Sequence, residues 1–176
     1  MNKPTLLLKH LWLDVSDTRR AIPADVVKRL AERVAASEQR HSGQVRICVE
    51  SSLPASYLWR LGRADTLQSL VRQRAVMVFG KLRVWDTEHN NGVLIYVLLA
   101  EHAIEIVADR GLMRYVDDSH WQSVVSRMAQ AFRDKRYEDG LTQALEEISA
   151  VLVAQFARTD APAPYPNELP DTPLLQ

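Results

Sequence analysis

Cysteine is nearly absent from this chain: Cys48 stands alone, so no intramolecular disulfide can form. A single free thiol fits a reducing compartment, where disulfides are rare. Cys48 lies in the segment 44–50, whose apolar and polar residues alternate. That alternation is typical of a strand, and it favours a packing role for Cys48 over a catalytic one.

An excess of charge and a long apolar run are also absent. The 22 basic and 22 acidic residues cancel, whereas a nucleic-acid-binding protein usually carries a strong positive field. The apolar run 93–99 has seven residues, and a membrane span needs roughly 20. The leucine-rich segment 5–14 is interrupted by Lys9 and His10, and no small-residue cleavage site follows it. We therefore expect a cytoplasmic protein with no nucleic-acid partner and no membrane span.

The apolar run 93–99 predicts the central strand of a sheet, because a strand without alternation should be buried on both faces. Residues 101–103 form a connection of hairpin length to the run 104–108, which must return antiparallel. The alternating segment 44–51 predicts an earlier strand. Apolar residues at helical spacing over 67–78 predict a crossover helix, which makes the strands 44–51 and 93–99 parallel.

Helical spacing recurs on both sides of these strands. It predicts a helix over 23–38 before the first strand and helices over 119–132 and 137–152 after the last. Helices before, between and after the strands indicate the α/β class. We expect a three-layer α/β/α sandwich whose small mixed sheet has three to four strands with flanking helices.

The composition changes near residue 158. Residues 1–158 are predicted to form a single α/β/α domain with an N-terminal helix at 5–14. Five of the eight prolines lie in the last fifteen residues, so 159–176 is predicted to be an extended, proline-rich tail. Apolar residues surround most of the N-terminal helix. We expect it to pack against the body of the protein, and a second copy or a membrane surface is the alternative contact.

Oxygen-bearing side chains are concentrated just before the central strand. Asp86, Glu88, Asn90 and Asn91 fall within six residues, and the hairpin returns Asp109 to the same rim of the sheet. Carboxylate and amide oxygens are the ligands that Ca²⁺ and Mg²⁺ prefer. The five residues are therefore a predicted site for one of these cations. The alternative is a polar turn whose carboxylates face water.

A competing site lies at the other end of the predicted sheet. Glu50 ends the first strand and Glu101 follows the central one. Parallel strands favour ligand sites at their carboxyl ends, so this rim is a second candidate.

Three segments resemble the TPM-domain family, in its short soluble bacterial branch. They are FGKLRVWDTEHNNGVLIY at 79–96, EIVADRG at 105–111 and NELPD at 167–171. The resemblance extends over nearly the whole chain and implies an α/β/α sandwich of Rossmann-like appearance. The residues of this chain that match the family's motifs most directly are Asn91-Gly92, Asp109 and Gly111. Unlike in many relatives, we expect neither a leader peptide nor a C-terminal membrane segment in this chain.

The resemblance also implies functions. TPM domains are associated with divalent-cation binding, with acid-phosphatase activity in some members and with the assembly of membrane complexes in others. We expect Ca²⁺ or Mg²⁺ binding with weak, metal-assisted phosphomonoester hydrolysis, in which Arg110 would offset phosphoryl charge. The alternative is a non-enzymatic interaction or assembly module. It would use the segment 5–14 or the proline-rich tail to contact a protein partner or form a homodimer.

Overall fold

The computed structural model describes residues 3–61, 65–158 and 167–176. Its elements in chain order are α1 (Lys3–Trp12), α2 (Val15–Ala21), α3 (Ala24–Glu38), β1 (Gln44–Glu50), α4 (Ala55–Leu58), α5 (Leu67–Lys81), β2 (Gly92–Leu98), a 3₁₀ turn (Leu99–Glu101), β3 (Ala103–Ala108), α6 (Asp118–Arg133), α7 (Tyr137–Phe156) and β4 (Leu174–Leu175).

The four strands form one open mixed sheet in the order β3-β2-β1-β4. β1 is parallel to β2 and to β4, and β2 is antiparallel to β3. Gln44 lies opposite Gly92, and Ile95 lies opposite Ile106. Every residue of β1 and β2 is buried, as expected for parallel strands covered on both faces. The predicted mixed sheet is confirmed.

Helices cover the sheet on both faces. Val45 and Ile47 of β1 belong to the core shared with α3, α6 and α7. The intervening Cys48 belongs to the core on the other face, where it packs with Leu70 and Val71 of α5. Successive side chains of a strand point to opposite faces, so one alternating segment feeds both cores. The predicted three-layer α/β/α sandwich is confirmed.

Local capping explains where two of these helices begin. The Thr66 hydroxyl accepts the backbone N–H of Ser69 at 3.1 Å at the start of α5. The Asp117 carboxylate accepts the N–H of His120 at 3.0 Å at the start of α6. Each side chain satisfies an N–H that has no partner within its helix.

The end of the chain adds a strand to the sheet. The backbone N–H of Gln176 donates to the Val49 carbonyl at 2.9 Å, and the N–H of Ser51 donates to the Gln176 carbonyl at 2.8 Å. The side-chain oxygen of Gln44 accepts the N–H groups of Glu168 and Leu169, each at 3.0 Å. The described part of the proline-rich tail therefore covers the outer edge of β1. Residues 159–166 lie outside the described ranges.

The N-terminal helix is held by its polar side. The buried His10 accepts the N–H of Leu53 at 3.0 Å through Nδ1, and Lys9 Nζ lies 3.3 Å from Glu101 Oε1. Its apolar side chains Leu11 and Trp12 are instead 72% and 83% exposed. The expected packing against the body thus applies to the polar side of α1 and not to these two residues. Across the described ranges, no helix combines the length and hydropathy of a membrane-spanning segment.

Candidate cation site at the sheet rim

The ends of β2 and β3 bring the sequence-predicted loop and Asp109 together. The backbone N–H of Asp109 donates to the Gly92 carbonyl at 2.9 Å, one step beyond the pairing of Val93 with Ala108. We call the loop 86–91, together with Ser42 and the segment 109–111, the polar rim. It lies where the parallel strands β1 and β2 begin.

Asn91 is fully buried in the polar rim. Its backbone N–H donates to Thr87 Oγ1 at 3.1 Å, and its side-chain Nδ2 donates to Ser42 Oγ at 3.2 Å. These two bonds fix the amide and leave its oxygen, Oδ1, as a buried acceptor. No described residue donates a hydrogen bond to that oxygen.

Asp109 is the second buried acceptor, with 7% of its surface exposed. Its Oδ1 accepts the backbone N–H of Arg110 at 2.7 Å, whereas Oδ2 has no hydrogen-bond partner among the described residues. In those same ranges, Asn91 Oδ1 and Asp109 Oδ2 are the only buried side-chain oxygens without a donor. A buried acceptor without a partner costs free energy, so an ordered water or a cation at these two oxygens would stabilise the fold.

Two glycines let the loop backbone approach the strands. A Cβ at Gly92 would lie 2.0 Å from the Val84 carbonyl oxygen, and one at Gly111 would lie 2.4 Å from the Asn90 carbonyl oxygen. Asn90 itself has a φ of 51°, and its carbonyl accepts the N–H of Gly111 at 2.9 Å. Any side chain at either glycine would displace the loop that carries Asn91.

The other three predicted ligands are arranged differently. The Asp86 carboxylate accepts a hydrogen bond from the Arg83 guanidinium at 2.6 Å, and Asn90 Oδ1 accepts one from Arg110 Nε at 2.8 Å. Glu88 is exposed. No group of three or more His, Cys, Asp or Glu side chains is arranged around a common metal position in the described part of the chain. The structure therefore leaves Asn91 and Asp109 as the two predicted ligands with free, buried oxygens.

Sequence reasoning missed the residues that support this rim. Thr87 and Ser42 hold Asn91, and Glu168 of the tail accepts the backbone N–H of Glu88 at 2.8 Å through Oε2. No spacing in the sequence indicates these contacts, because Ser42 and Glu168 are distant in the chain from the loop.

The competing rim, at the carboxyl ends of β1 and β2, has satisfied carboxylates. Glu50 Oε2 accepts from Arg74 Nε at 2.8 Å and from the Tyr96 hydroxyl at 2.6 Å, and a second Arg74 nitrogen donates to Glu50 Oε1. Burial, with the nearby Glu50 charge, raises the pKa of Tyr96, which keeps the hydroxyl as a donor. Burial alone would raise the pKa of Glu101, but contacts with His10 and Lys9 lower it. Both carboxylates are ion-paired and provide no free ligand oxygens comparable to Asp109 Oδ2.

Known structures share this fold. The protein BA42 from the psychrophilic bacterium Bizionia argentinensis, solved by NMR, is 25% identical with a TM-score of 0.69, over 87% of this chain and 94% of that one. The N-terminal domain of a protein from P. gingivalis, also solved by NMR, is 17% identical with a TM-score of 0.57, over 80% of this chain and 83% of that one. The second likeness shows the fold alone.

Comparison with curated proteins gives no match. The family model described as TPM domain, in contrast, matches residues 15–151, which include all of α2 to α6, β1 to β3, and every residue of the predicted cation site. The chain therefore belongs to the TPM-domain family.

Proposed function

We propose that this TPM domain binds one divalent cation, Ca²⁺ or Mg²⁺, at the polar rim through Asn91 Oδ1 and Asp109 Oδ2. The observation that carries the proposal is that both oxygens are buried and lack a hydrogen-bond donor among the described residues. A cation would offset the cost of burying them.

The residues present fit a hard cation. One carboxylate and one amide supply oxygen ligands, which suit Ca²⁺ and Mg²⁺ better than softer metals. Mg²⁺ in particular retains several waters and needs few protein ligands. Waters and backbone carbonyl groups would complete the coordination sphere, and the exposed carboxylate of Glu88 adds negative charge nearby.

Thermal unfolding with chelator, Ca²⁺ or Mg²⁺ tests the cation site. A ligand at about a hundred times its dissociation constant adds roughly 2.7 kcal/mol of stability. We expect this shift to be lost in Asp109→Asn, which keeps the side-chain shape and the acceptor for Arg110, and retained in Asp86→Asn. Asp86 is the matched control because Arg83 already pairs with its exposed carboxylate. No shift with either cation, or a full shift in Asp109→Asn, would contradict the proposal.

Weak phosphomonoester hydrolysis is the activity that this site would support best. A bound cation would act as the Lewis acid for a phosphoryl oxygen. The exposed guanidinium of Arg110 is held at the rim by Asn90 and can offset charge on a phosphate there. Hydrolysis of a generic phosphomonoester should be lost in Asp109→Asn, reduced in Arg110→Gln and unchanged in Arg83→Gln. Equal rates in the wild type and Asp109→Asn would assign the activity to another site or to a contaminant.

An interaction module is the second candidate. The observation that favours it is the exposure of Leu8, Leu11 and Trp12 on α1, because large apolar side chains grouped on a surface mark contact sites. Sedimentation over a range of concentrations should then show self-association that Leu11→Ser weakens. A monomer at every concentration would leave self-association without support.

A further inference from the structure

A second site lies at the other end of the parallel strands, away from the polar rim. There a cleft of about 660 Å³ opens between the helices α1 and α2 on one side and the α6–α7 connection on the other. Its floor includes Leu99 and Ala100, which follow β2 directly. We call it the basic cleft. Its size is within the range of small-molecule sites, and open α/β sheets bind ligands outside the carboxyl ends of their strands.

Positive charge converges on the basic cleft. Lys9, Arg20 and Lys135 line it, together with one carboxylate, that of Asp17. Two of them have carboxylate neighbours, since Lys9 Nζ lies 3.3 Å from Glu101 and Arg20 Nη1 lies 2.8 Å from Asp17. Lys135 forms no ion pair with any residue that the structure describes. The cleft therefore keeps a positive excess that an anion can neutralise.

The lowered pKa of His102 agrees with this concentration of positive charge in the cleft. His102 lines the cleft, and its pKa is lowered first by burial and then by the charges of Lys9 and Lys135. The charges of Lys9 and Lys135, on opposite walls of the cleft, thus both lower the pKa of His102 in its floor. His102 and Lys135 also have positive φ angles of 49° and 59°. Both residues follow helical segments, His102 the 3₁₀ turn and Lys135 helix α6, where the left-handed conformation commonly ends a helix.

The basic cleft also provides aromatic surface. Trp12 lines it with 83% of the residue exposed, although a large apolar ring is normally buried. Tyr137 also lines the cleft but is only 7% exposed; its ring is nearly parallel to that of His102, with 9° between the planes, and its hydroxyl lies 3.1 Å from His102 Nδ1. The exposed ring of Trp12 suits a flat ligand, because planar groups stack on aromatic faces.

From this geometry we propose that the basic cleft binds a small molecule in which phosphate groups are joined to a planar ring, the chemistry of a nucleotide. Trp12 stacks on the ring, and Lys9 and Lys135 face the phosphate groups. None of the residues that form the polar rim lines this cleft. The site is therefore independent of the proposed cation site.

Calorimetric titration of the full chain with ADP, adenosine and pyrophosphate, in the presence of a chelator, tests the proposal. We expect ADP to bind and each fragment to bind at least tenfold more weakly. Trp12→Ala should weaken ADP and adenosine at least fivefold and leave pyrophosphate unchanged. Lys135→Gln should weaken ADP and pyrophosphate and leave adenosine unchanged.

Matched controls separate the cleft from the rest of the surface. Trp59 is 70% exposed and Lys81 is exposed, and neither lines the cleft. Trp59→Ala, Lys81→Gln and Asp109→Asn should all bind ADP as the wild type does, so the loss of the cation site leaves this result intact. The proposal is overturned if ADP fails to bind at millimolar concentration or if Trp12→Ala and Lys135→Gln both bind it normally. Binding only to anionic phospholipid vesicles would also overturn it and assign the surface to a membrane.

Discussion

Glu38 is a buried carboxylic acid at the end of α3, and its side-chain oxygen accepts the N–H of Val45 at 2.8 Å. Burial raises the pKa of Glu38 from an ordinary value of 4.5 to about 8. The folded protein therefore keeps a proton that the unfolded chain loses above pH 4.5, so this group lowers stability as the pH rises from 4.5 to 8.

Glu38→Gln should remove that pH dependence. Glutamine keeps the acceptor for Val45 and carries no charge, so the variant should match the wild type near pH 5. It should be more stable near pH 9, by on the order of 3 kcal/mol. Urea unfolding at both pH values measures the difference. Equal pH dependence in the two proteins would show that Glu38 ionises normally in the fold.

The ionisation of His41 changes the stability of the fold with pH in the opposite direction. Its Nε2 lies 2.9 Å from Ser37 Oγ and its Nδ1 lies 3.1 Å from the Gly43 carbonyl oxygen, so both ring nitrogens have partners. Burial lowers the pKa of His41 from 6.5 to about 4. The stability that neutral His41 contributes is present above pH 6.5 and is lost as the pH falls towards 4. The two pH ranges overlap, so the opposing effects of Glu38 and His41 offset each other between pH 4.5 and 6.5, and their combined contribution to stability falls on either side.

Two arginine–carboxylate pairs allow a matched test of burial. Arg74 pairs with Glu50 inside the protein, with side chains 10% and 7% exposed, and Arg83 pairs with Asp86 at the surface, with side chains 70% and 47% exposed. Arg74→Met should cost about 3–5 kcal/mol, because Glu50 would be left buried without its cation. Arg83→Met should cost less than about 1 kcal/mol, because solvent screens the surface pair. Similar losses in denaturant unfolding would mean that water reaches Glu50.

The glycines of helices α5 and α7 have different surroundings. A Cβ at Gly80 in α5 would meet nothing within 4 Å, whereas one at Gly140 in α7 would lie 2.3 Å from the buried ring of Phe132. Gly80→Ala should therefore stabilise the protein by about 0.5–1 kcal/mol through helix propensity. Gly140→Ala should destabilise it by about 1–3 kcal/mol because the core must shift. Thermal unfolding of the two variants gives the comparison, and a gain in both would show that Phe132 can move freely.

The tail acts on the molecule as a whole, because it closes one edge of the sheet. Arg46 of β1 donates to the carbonyl groups of Pro170 and Thr172, and the side chain of Leu169 is buried in the core on the α5 face. A chain that ends at residue 166 should lose about 2 kcal/mol or more through the loss of Leu169 alone. It should also associate through the open edge of β1.

Denaturant midpoints and light scattering measure both effects of the truncation. Asn167→Ala is the control, since the exposed side chain of Asn167 donates to Asp171, which also lies in the tail. A truncated protein that stays monomeric with an unchanged midpoint would show that β1 needs no cover.

The sequence by itself determined the elements of the sandwich. The run 93–99 has no alternation, so it had to be a strand covered on both faces, and the three-residue connection after it had to make a hairpin. Apolar residues at helical spacing located α3, α5, α6 and α7. These features depend on periodicity within a segment, which the sequence displays directly.

Only the tertiary structure decided which oxygens of the predicted site are free. Five ligands looked alike in sequence, yet Asn91 and Asp109 are buried without donors, while Asp86 bonds to Arg83 and Glu88 faces water. The pairing of β4 with β1 likewise joins residues that are far apart in the chain. The basic cleft does so too. Burial and hydrogen bonding between distant segments follow from packing, and no local pattern encodes them.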